Sequence, residues 1–280
     1  NLSKLQFLKE HISFKNPSKS EIVIFDNEGS GIMEKSVLEV LALIPARSGS
    51  KLIPHKNIRL INGKELLAYS IEHALSSKLI NRTVVSTDDS KYAEIAKKYG
   101  AEVSFLRPSE ISHDTSTDLE TFIHALTWLK ENESYAPDIC VHLRPTYPIR
   151  RIEDINNMVQ ILIDNQDIDS VRSLIPASQT PFKMWYRGKD NLIKPVIEID
   201  KLREAYNLPR QLLPKIFCQN NNIDTFRTKV IMEKNSMTGS EIYGYLMSDN
   251  FDIDTEEQFK AVEDRLIGFS STNSRIDENN

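Results

Sequence analysis

The chain has 280 residues, enough for one large α/β domain or two small ones with a proper hydrophobic core. A composition of 40% hydrophobic and 27% charged residues is ordinary for a soluble globular protein, and a net charge of −5 gives no general reason to expect nucleic acid as a partner. Any anion binding therefore falls to local basic loops. No apolar run reaches the length of a membrane span and no signal-peptide pattern opens the chain, which begins with Asn1 rather than Met. Cys140 and Cys218 lie far apart and match no metal-ligand spacing, so a reduced cytoplasmic setting is expected, with Cys140 a small core residue.

Residues 1–38 precede the main pattern as an extension of unknown role. Leu2, Leu5, Leu8 and Ile12 have helical spacing, Pro17 interrupts, and Ile22–Phe25 reads as a buried strand. The turn-rich Asp26–Gly31 follows, its acidic residues arguing against a phosphate loop. From Val40 strands and helices alternate. Strands are expected at Leu41–Ile44, Thr83–Ser86, Ala101–Phe105, Asp138–Leu143 and Ser170–Leu174. Helices are expected at Lys64–Leu79, Asp88–Tyr99, Thr117–Glu131 and Ile152–Ile163. This alternation predicts an α/β fold, a three-layer, mainly parallel sheet with helices on both faces, in which ligands bind beyond the carboxyl ends of the strands. After Pro176 the rhythm breaks. Residues 176–250 carry scattered aromatic, Pro and Asn residues with strand-like pieces at Lys229–Met232 and Ile242–Met247, and read as an insertion laid over the sheet edge. Asp254–Leu266 returns to helix, and residues 269–280 are expected to be a disordered tail.

Polar blocks fall where that topology puts a ligand. Ile44-Pro-Ala-Arg-Ser-Gly-Ser-Lys51 through Lys56-Asn57 follows the first strand. Its small residues let backbone N–H groups approach phosphate, and Arg47, Lys51 and Lys56 supply charge to a polyphosphate. Ser50 and Asn57 offer hydrogen bonds to phosphate, ribose or base. The spacing of a Walker loop is missing, and a basic surface loop shaped by Pro45 and Pro54 is the competing account. Val85-Ser-Thr-Asp88 follows the second strand, where Asp88 is equally a helix N-cap. Leu143-Arg-Pro-Thr-Tyr-Pro-Ile-Arg150 follows the run at Ile139–Leu143, and Arg150 is either a ligand group or a structural partner of a carboxylate. Asp114 could contact sugar or help position the loop, but a helix cap before Leu119 is the more economical account. Asp252 and Asp254 flank Ile253, so on an extended strand both carboxylates face one side and suit a hard cation such as Mg2+. Capping of the next helix by Asp254 or Thr255 is the alternative, and the two roles are compatible.

Together with Pro209-Arg-Gln-Leu-Leu-Pro214 and Phe251-Asp-Ile-Asp-Thr255, these blocks resemble, in order, the cytidylyltransferases that activate sialic acids and related nonulosonic acids. The similarity covers about residues 39–268. It implies a Rossmann-like fold of the nucleotide-diphospho-sugar transferase type, and the coupling of CTP to a 2-keto sugar acid with release of pyrophosphate. By the same resemblance Arg47, Ser50, Lys51, Lys56, Asn57, Ser86 and Asp88 contact the nucleotide. Arg144, Arg210 and Gln211 contact the sugar acid, Arg210 through its carboxylate. Asp252 and Asp254 hold Mg2+, and with Lys56 and Arg47 they form the catalytic set. The 176–250 insertion becomes a sugar-binding and dimer-forming region of a homodimer.

The chain departs from the family pattern in places. Leu52 stands where Gly is common and His55 where Arg or Leu is common. Cys218 stands where some members carry a second arginine, and Gln219-Asn220-Asn221 replaces Pro-Asn-Gly. These changes leave the sugar open between sialic, legionaminic and pseudaminic types. They also leave two alternatives: a CMP-synthetase for an eight-carbon keto-acid sugar, which normally lacks Pro-Arg-Gln-x-Leu-Pro, and a nucleotide-binding module without turnover.

Overall fold

The computed structural model describes residues 38–199, 202–248 and 251–277. The expected elements at Leu2–Ile12 and Ile22–Phe25 lie outside the described residues. Strand β1 (Val40–Pro45) leads into a short hairpin of β2 (Leu60–Ile61) and β3 (Lys64–Glu65), then α1 (Leu66–Ser76) and β4 (Arg82–Ser86). Next come α2 (Ser90–Lys98), α3 (Asp118–Glu133), β5 (Ile139–Leu143), α4 (Ile152–Asp164) and β6 (Ser170–Pro176). A small hairpin of β7 (Trp185–Arg187) and β8 (Ile193–Pro195) precedes β9 (Phe217–Arg227), α5 (Thr228–Lys234), β10 (Ile242–Leu246) and α6 (Glu256–Asp277).

Six strands form one sheet in the order β10-β6-β9-β5-β1-β4. Its neighbours are parallel except where β9 runs antiparallel to both β5 and β6. Side chains of β1 alternate between the faces: Val40, Ala42 and Ile44 enter an apolar cluster with α1, α2 and α4, while Leu41 and Leu43 enter another with α3 and α5. A strand buried on both faces reads as an unbroken apolar run, which is what Leu41–Ile44 shows. The expected α/β three-layer architecture is thus the observed one. No helix among the described residues is long and apolar enough to cross a membrane.

Five local expectations are corrected. The helix expected from Lys64 starts at Leu66, because Asn62 and Gly63 both take positive φ (49° and 76°) and close the β2–β3 hairpin. Ala101–Phe105 is no full strand; it touches β4 only through the bridge Val84–Glu102, with Thr87–Leu106 beyond. Lys229–Met232 is helix, inside α5, with Val230 and Ile231 buried. The largest correction is β9, which occupies the middle of the sheet, so the expected 176–250 insertion shrinks to an excursion at 177–216 between β6 and β9. Pro176 and Phe217 are cross-strand partners at the neck of that excursion. A third cluster, Phe182, Ala205 and Leu213, gives the excursion a small core of its own. Helix α6 runs to Asp277, past Leu266 and through most of the expected tail.

Candidate active site

The loop after β1 is held in shape from within. Asp88 accepts hydrogen bonds from the Ser48 amide and the Ser48 hydroxyl, both at 2.8 Å. The buried Asn57 donates its side-chain amide to the Arg47 carbonyl at 3.0 Å. Asp88 therefore acts on the loop and does not cap α2; that cap is Asp89, which accepts from Lys91 and Tyr92. His55, not Leu52, takes the left-handed conformation, at φ 53°, as the residue before the single turn Lys56–Ile58. Leu52 is simply exposed. The loop's outer cations have a protein partner: Asp114 receives Arg47 Nη1 at 2.7 Å and pairs with Lys51. Those bonds, Lys51 first, hold the Asp114 carboxyl below its ordinary value. The cap before Leu119 is Thr117, so Asp114 is free for this role.

Packing brings the distant carboxylates to this loop. Ile53 and Ile253 are both buried in one cluster with Leu66, Tyr69 and Phe259, which seats the 251–254 segment and the start of α6 against the loop. As a result Lys56 Nζ donates to the Ile253 carbonyl at 2.7 Å and to Asp254 Oδ1 at 3.0 Å. Residues 251–254 are not strand, yet Ile253 points into the core as expected. Thr255 caps α6 together with Gln258, whose side chain accepts from the Asp254 and Thr255 amides. The Asp254 carboxylate is thereby left to Lys56. Asp252 is half-buried, and its Oδ1 is buried with no hydrogen-bond partner. Burial, with the neighbouring Asp254 charge, raises its carboxyl above the ordinary value against hydrogen bonds from Thr146 and Tyr147.

Beyond the loop a cleft of about 230 Å³ is lined by Arg47, Ser50, Lys56 and Asn57 at one side and by Asp118, His142, Arg144 and Thr146 at the other. Arg144 is clamped: Nη1 donates to Asp224 at 3.0 Å and to the Asn221 carbonyl at 3.1 Å, and Nη2 to Asp118 at 2.8 Å. An irregularity in β9, where the register jumps opposite Arg172 and Leu174, presents the carbonyls of Asn220, Asn221 and Asn222 to this loop. Tyr147 Oη, Arg144 and Arg150 take one each. Asn221 sits at φ 57°, a conformation that Asn tolerates second only to Gly, so the replacement of Gly keeps the turn. Arg150 is buried and structural, but its partners are carbonyls, Ser70 and Asn222, not a carboxylate; burial lowers its pKa to about 9.

Arg107, Asp118 and His142 are among the cleft residues that were not singled out from sequence. Arg107 is buried, donates Nε to Ser86 Oγ at 3.1 Å, and is lowered to about 10 by burial. It lies just beyond the expected strand Ala101–Phe105, where the carboxyl-end rule would have pointed. Ser86 itself is fully buried and reaches the cleft through Arg107. His142 is fully buried on β5 beneath Arg144, with neither ring nitrogen hydrogen-bonded, and burial followed by Arg144 depresses it to about 4. Arg210 and Gln211 do not line the cleft. They sit on the turn Arg210–Leu212 of the excursion, where Arg210 donates to the Ala177 and Ser178 carbonyls.

A cytidylyltransferase family model matches residues 41–264. The CMP-N,N'-diacetyllegionaminic acid synthase of Legionella pneumophila is 35% identical over 232 residues, 81% of this chain and 95% of that protein. The post-translational flagellin modification protein B of Campylobacter coli is 33% identical over 227 residues, covering 80% and 94%. Among solved structures, CMP:2-keto-3-deoxy-manno-octonic acid synthetase complexed with CTP superposes with a TM-score of 0.61 at 16% identity, over 82% of this chain and 99% of that one, a likeness of fold. The sheet, the braced loop and these matches place the chain in the cytidylyltransferase family of nucleotidyltransferases.

Proposed function

We propose that the protein couples CTP to a sialic acid-like nonulosonic acid, giving the CMP-sugar and pyrophosphate. The observation that carries this reading is the meeting of Lys56 with Asp254 at the mouth of a cationic cleft. A module that only bound nucleotide would need neither a lysine at the reacting phosphate nor the paired aspartates. The identity to the Legionella synthase over nearly its whole length supports a nonulosonic acid as acceptor.

The acceptor's anomeric oxygen attacks the α-phosphorus of CTP and pyrophosphate leaves. The protein's work is positioning and charge stabilisation. Arg47 and Lys51 take the outer phosphates once Asp114 yields them, Lys56 faces the phosphate under attack, and Ser50 and Asn57 line the approach. The orphaned Asp252 oxygen and the neighbouring Asp254 fit a hard divalent cation. Among the described residues no group of three or more His, Cys, Asp or Glu could hold a metal, so phosphate oxygens and water would complete its shell. Bound there, Mg2+ would supply charge neutralisation on the phosphate oxygens. We assign the acceptor's carboxylate to Arg210, with Gln211 beside it and Arg144 toward the cleft. Exposed Trp185, Tyr186, Leu192 and Ile193 on the β7–β8 hairpin support a homodimer, and the unpaired Cys140 and Cys218 support a reducing, cytoplasmic setting.

The test is pyrophosphate release from CTP with sialic, legionaminic and pseudaminic acids, each with and without Mg2+. Release that requires both an acid of this class and Mg2+ is expected. CTP binding with no turnover of any acid would instead favour the inactive module.

A further inference from the structure

Both substrates of the proposed reaction are anionic where they react, yet the cleft holds an exposed carboxylate. Asp118 is the first residue of α3, its side chain is 43% exposed, and it lines the cleft opposite Arg47 and Lys56. The helix does not need it as a cap. Thr117 accepts from the Glu120 amide, and Glu120 returns to the Thr117 amide. Every contact described for the Asp118 carboxylate uses Oδ2: Arg144 Nη2 at 2.8 Å and His142 Nδ1 at 4.0 Å. No described hydrogen bond reaches Oδ1. Directly behind it, the fully buried His142 lines the same cleft with both ring nitrogens unbonded. Buried polar groups without partners are rare, and this one borders a cleft.

Although the side chain is partly open to solvent, the atoms packed around it oppose charge on Asp118, but His142 when protonated, Arg144 and Arg107 outweigh that and hold the carboxyl below its ordinary value. At neutral pH it is therefore an acceptor only. Facing a phosphate or a second carboxylate it would repel; facing a hydroxyl it forms a charge-assisted hydrogen bond.

We infer that Asp118 binds a substrate hydroxyl through Oδ1, with Arg144 as the positioning residue that fixes its Oδ2. The inference rests on the reaction proposed above, and two hydroxyl sources share this chemistry: the ribose of the nucleotide and the acceptor sugar.

Asp118→Asn keeps the shape and removes the charge. Calorimetric binding of CTP, 2′-deoxy-CTP and 3′-deoxy-CTP without acceptor tests the ribose, and the acceptor KM in pyrophosphate release tests the sugar. If the ribose is the source, the wild type prefers CTP over one deoxy analogue by about tenfold or more, and Asp118→Asn loses that preference with the acceptor KM unchanged. If the acceptor is the source, its KM rises about tenfold and CTP binding stays put. The inference is overturned if a folded Asp118→Asn leaves both within twofold, or if its defect is only a weaker response to Mg2+. Should Asp118→Asn not fold, Asp118→Glu keeps the pair with Arg144 but displaces Oδ1. Unchanged acceptor KM in that variant, with no wild-type preference against the deoxy nucleotides, overturns the inference equally. Absence of wild-type turnover with every acid would sink the proposed reaction instead, while the ribose arm still decides on Asp118.

Discussion

The rim built on the loop after β1 and the excursion at 177–216 are held in place by different means. In the rim, Asp88, Asn57, Ile53 and Ile253 tie the loop after β1 to the sheet and to the segment before α6, so that Lys56 and Asp254 are fixed by contacts reaching across the chain. The excursion rests on a small core of Phe182, Ala205 and Leu213, and its exposed residues include Tyr186, Leu192 and Leu212. The difference separates tasks. Groups whose geometry must not vary sit on the braced rim, and the groups we propose to choose among acceptors sit on a piece with a core of its own.

Substitutions can break that comparison, and the rim should give the largest effects. Lys56→Ala is expected to cut kcat by about a hundredfold or more while CTP affinity changes only a few-fold, read from pyrophosphate release and calorimetry. Asp252→Asn should remove most Mg2+-dependent turnover, by about a hundredfold, yet raise the melting temperature by about 2–4 °C, because a buried charge without a full set of partners is lost. The sign follows from the raised pKa of Asp252. A carboxyl raised in the folded state gains a proton on folding, so stability rises as pH falls through that pKa, while turnover falls as the metal site is protonated. Mg2+ affinity should therefore weaken as pH falls through that raised pKa, and in the metal-free protein the Asp252 carboxyl should titrate lower in Asp254→Asn, which removes the like charge.

On the excursion, Arg210→Gln should raise the acceptor KM about tenfold and leave the CTP KM unchanged. Equal damage to both would mean that the excursion braces the rim after all. The smallest effect is expected at Asp114→Asn. Freed of its partner, the Arg47–Lys51 pair should bind CTP about twofold to fivefold more tightly at low salt, an advantage that fades as salt is added, since exposed ion pairs contribute little. Weaker binding would make Asp114 an organiser of the loop, not a competitor for its cations.

Much of the rim was legible in the sequence because each block follows an apolar run and the carboxyl-end rule collects such blocks. What was not legible depends on contacts over long separations. Ile53 gives no sign that it packs on Ile253, and the Lys56 bond to the Ile253 carbonyl spans 197 positions. Strand β9 was missed because Gln219–Asn222 is polar, and only its position between β5 and β6 makes that run strand-forming. Asn side chains with low strand propensity mark the irregularity that supplies carbonyls to Arg144 and Arg150. Arg210 was legible as a residue but not as a position, since its guanidinium is turned to the Ala177 and Ser178 carbonyls.

The pairing of Pro176 with Phe217 has a consequence for how such enzymes diversify. The polypeptide leaves the sheet and re-enters it at adjacent strands, about 5 Å apart, so the intervening forty or so residues form a cassette whose two ends are already stapled together. A graft from a relative with another sugar preference, joined at those two points, would leave every strand of the sheet in register. Exchange at the neck would replace the cassette while the loop after β1 and its braces are inherited intact.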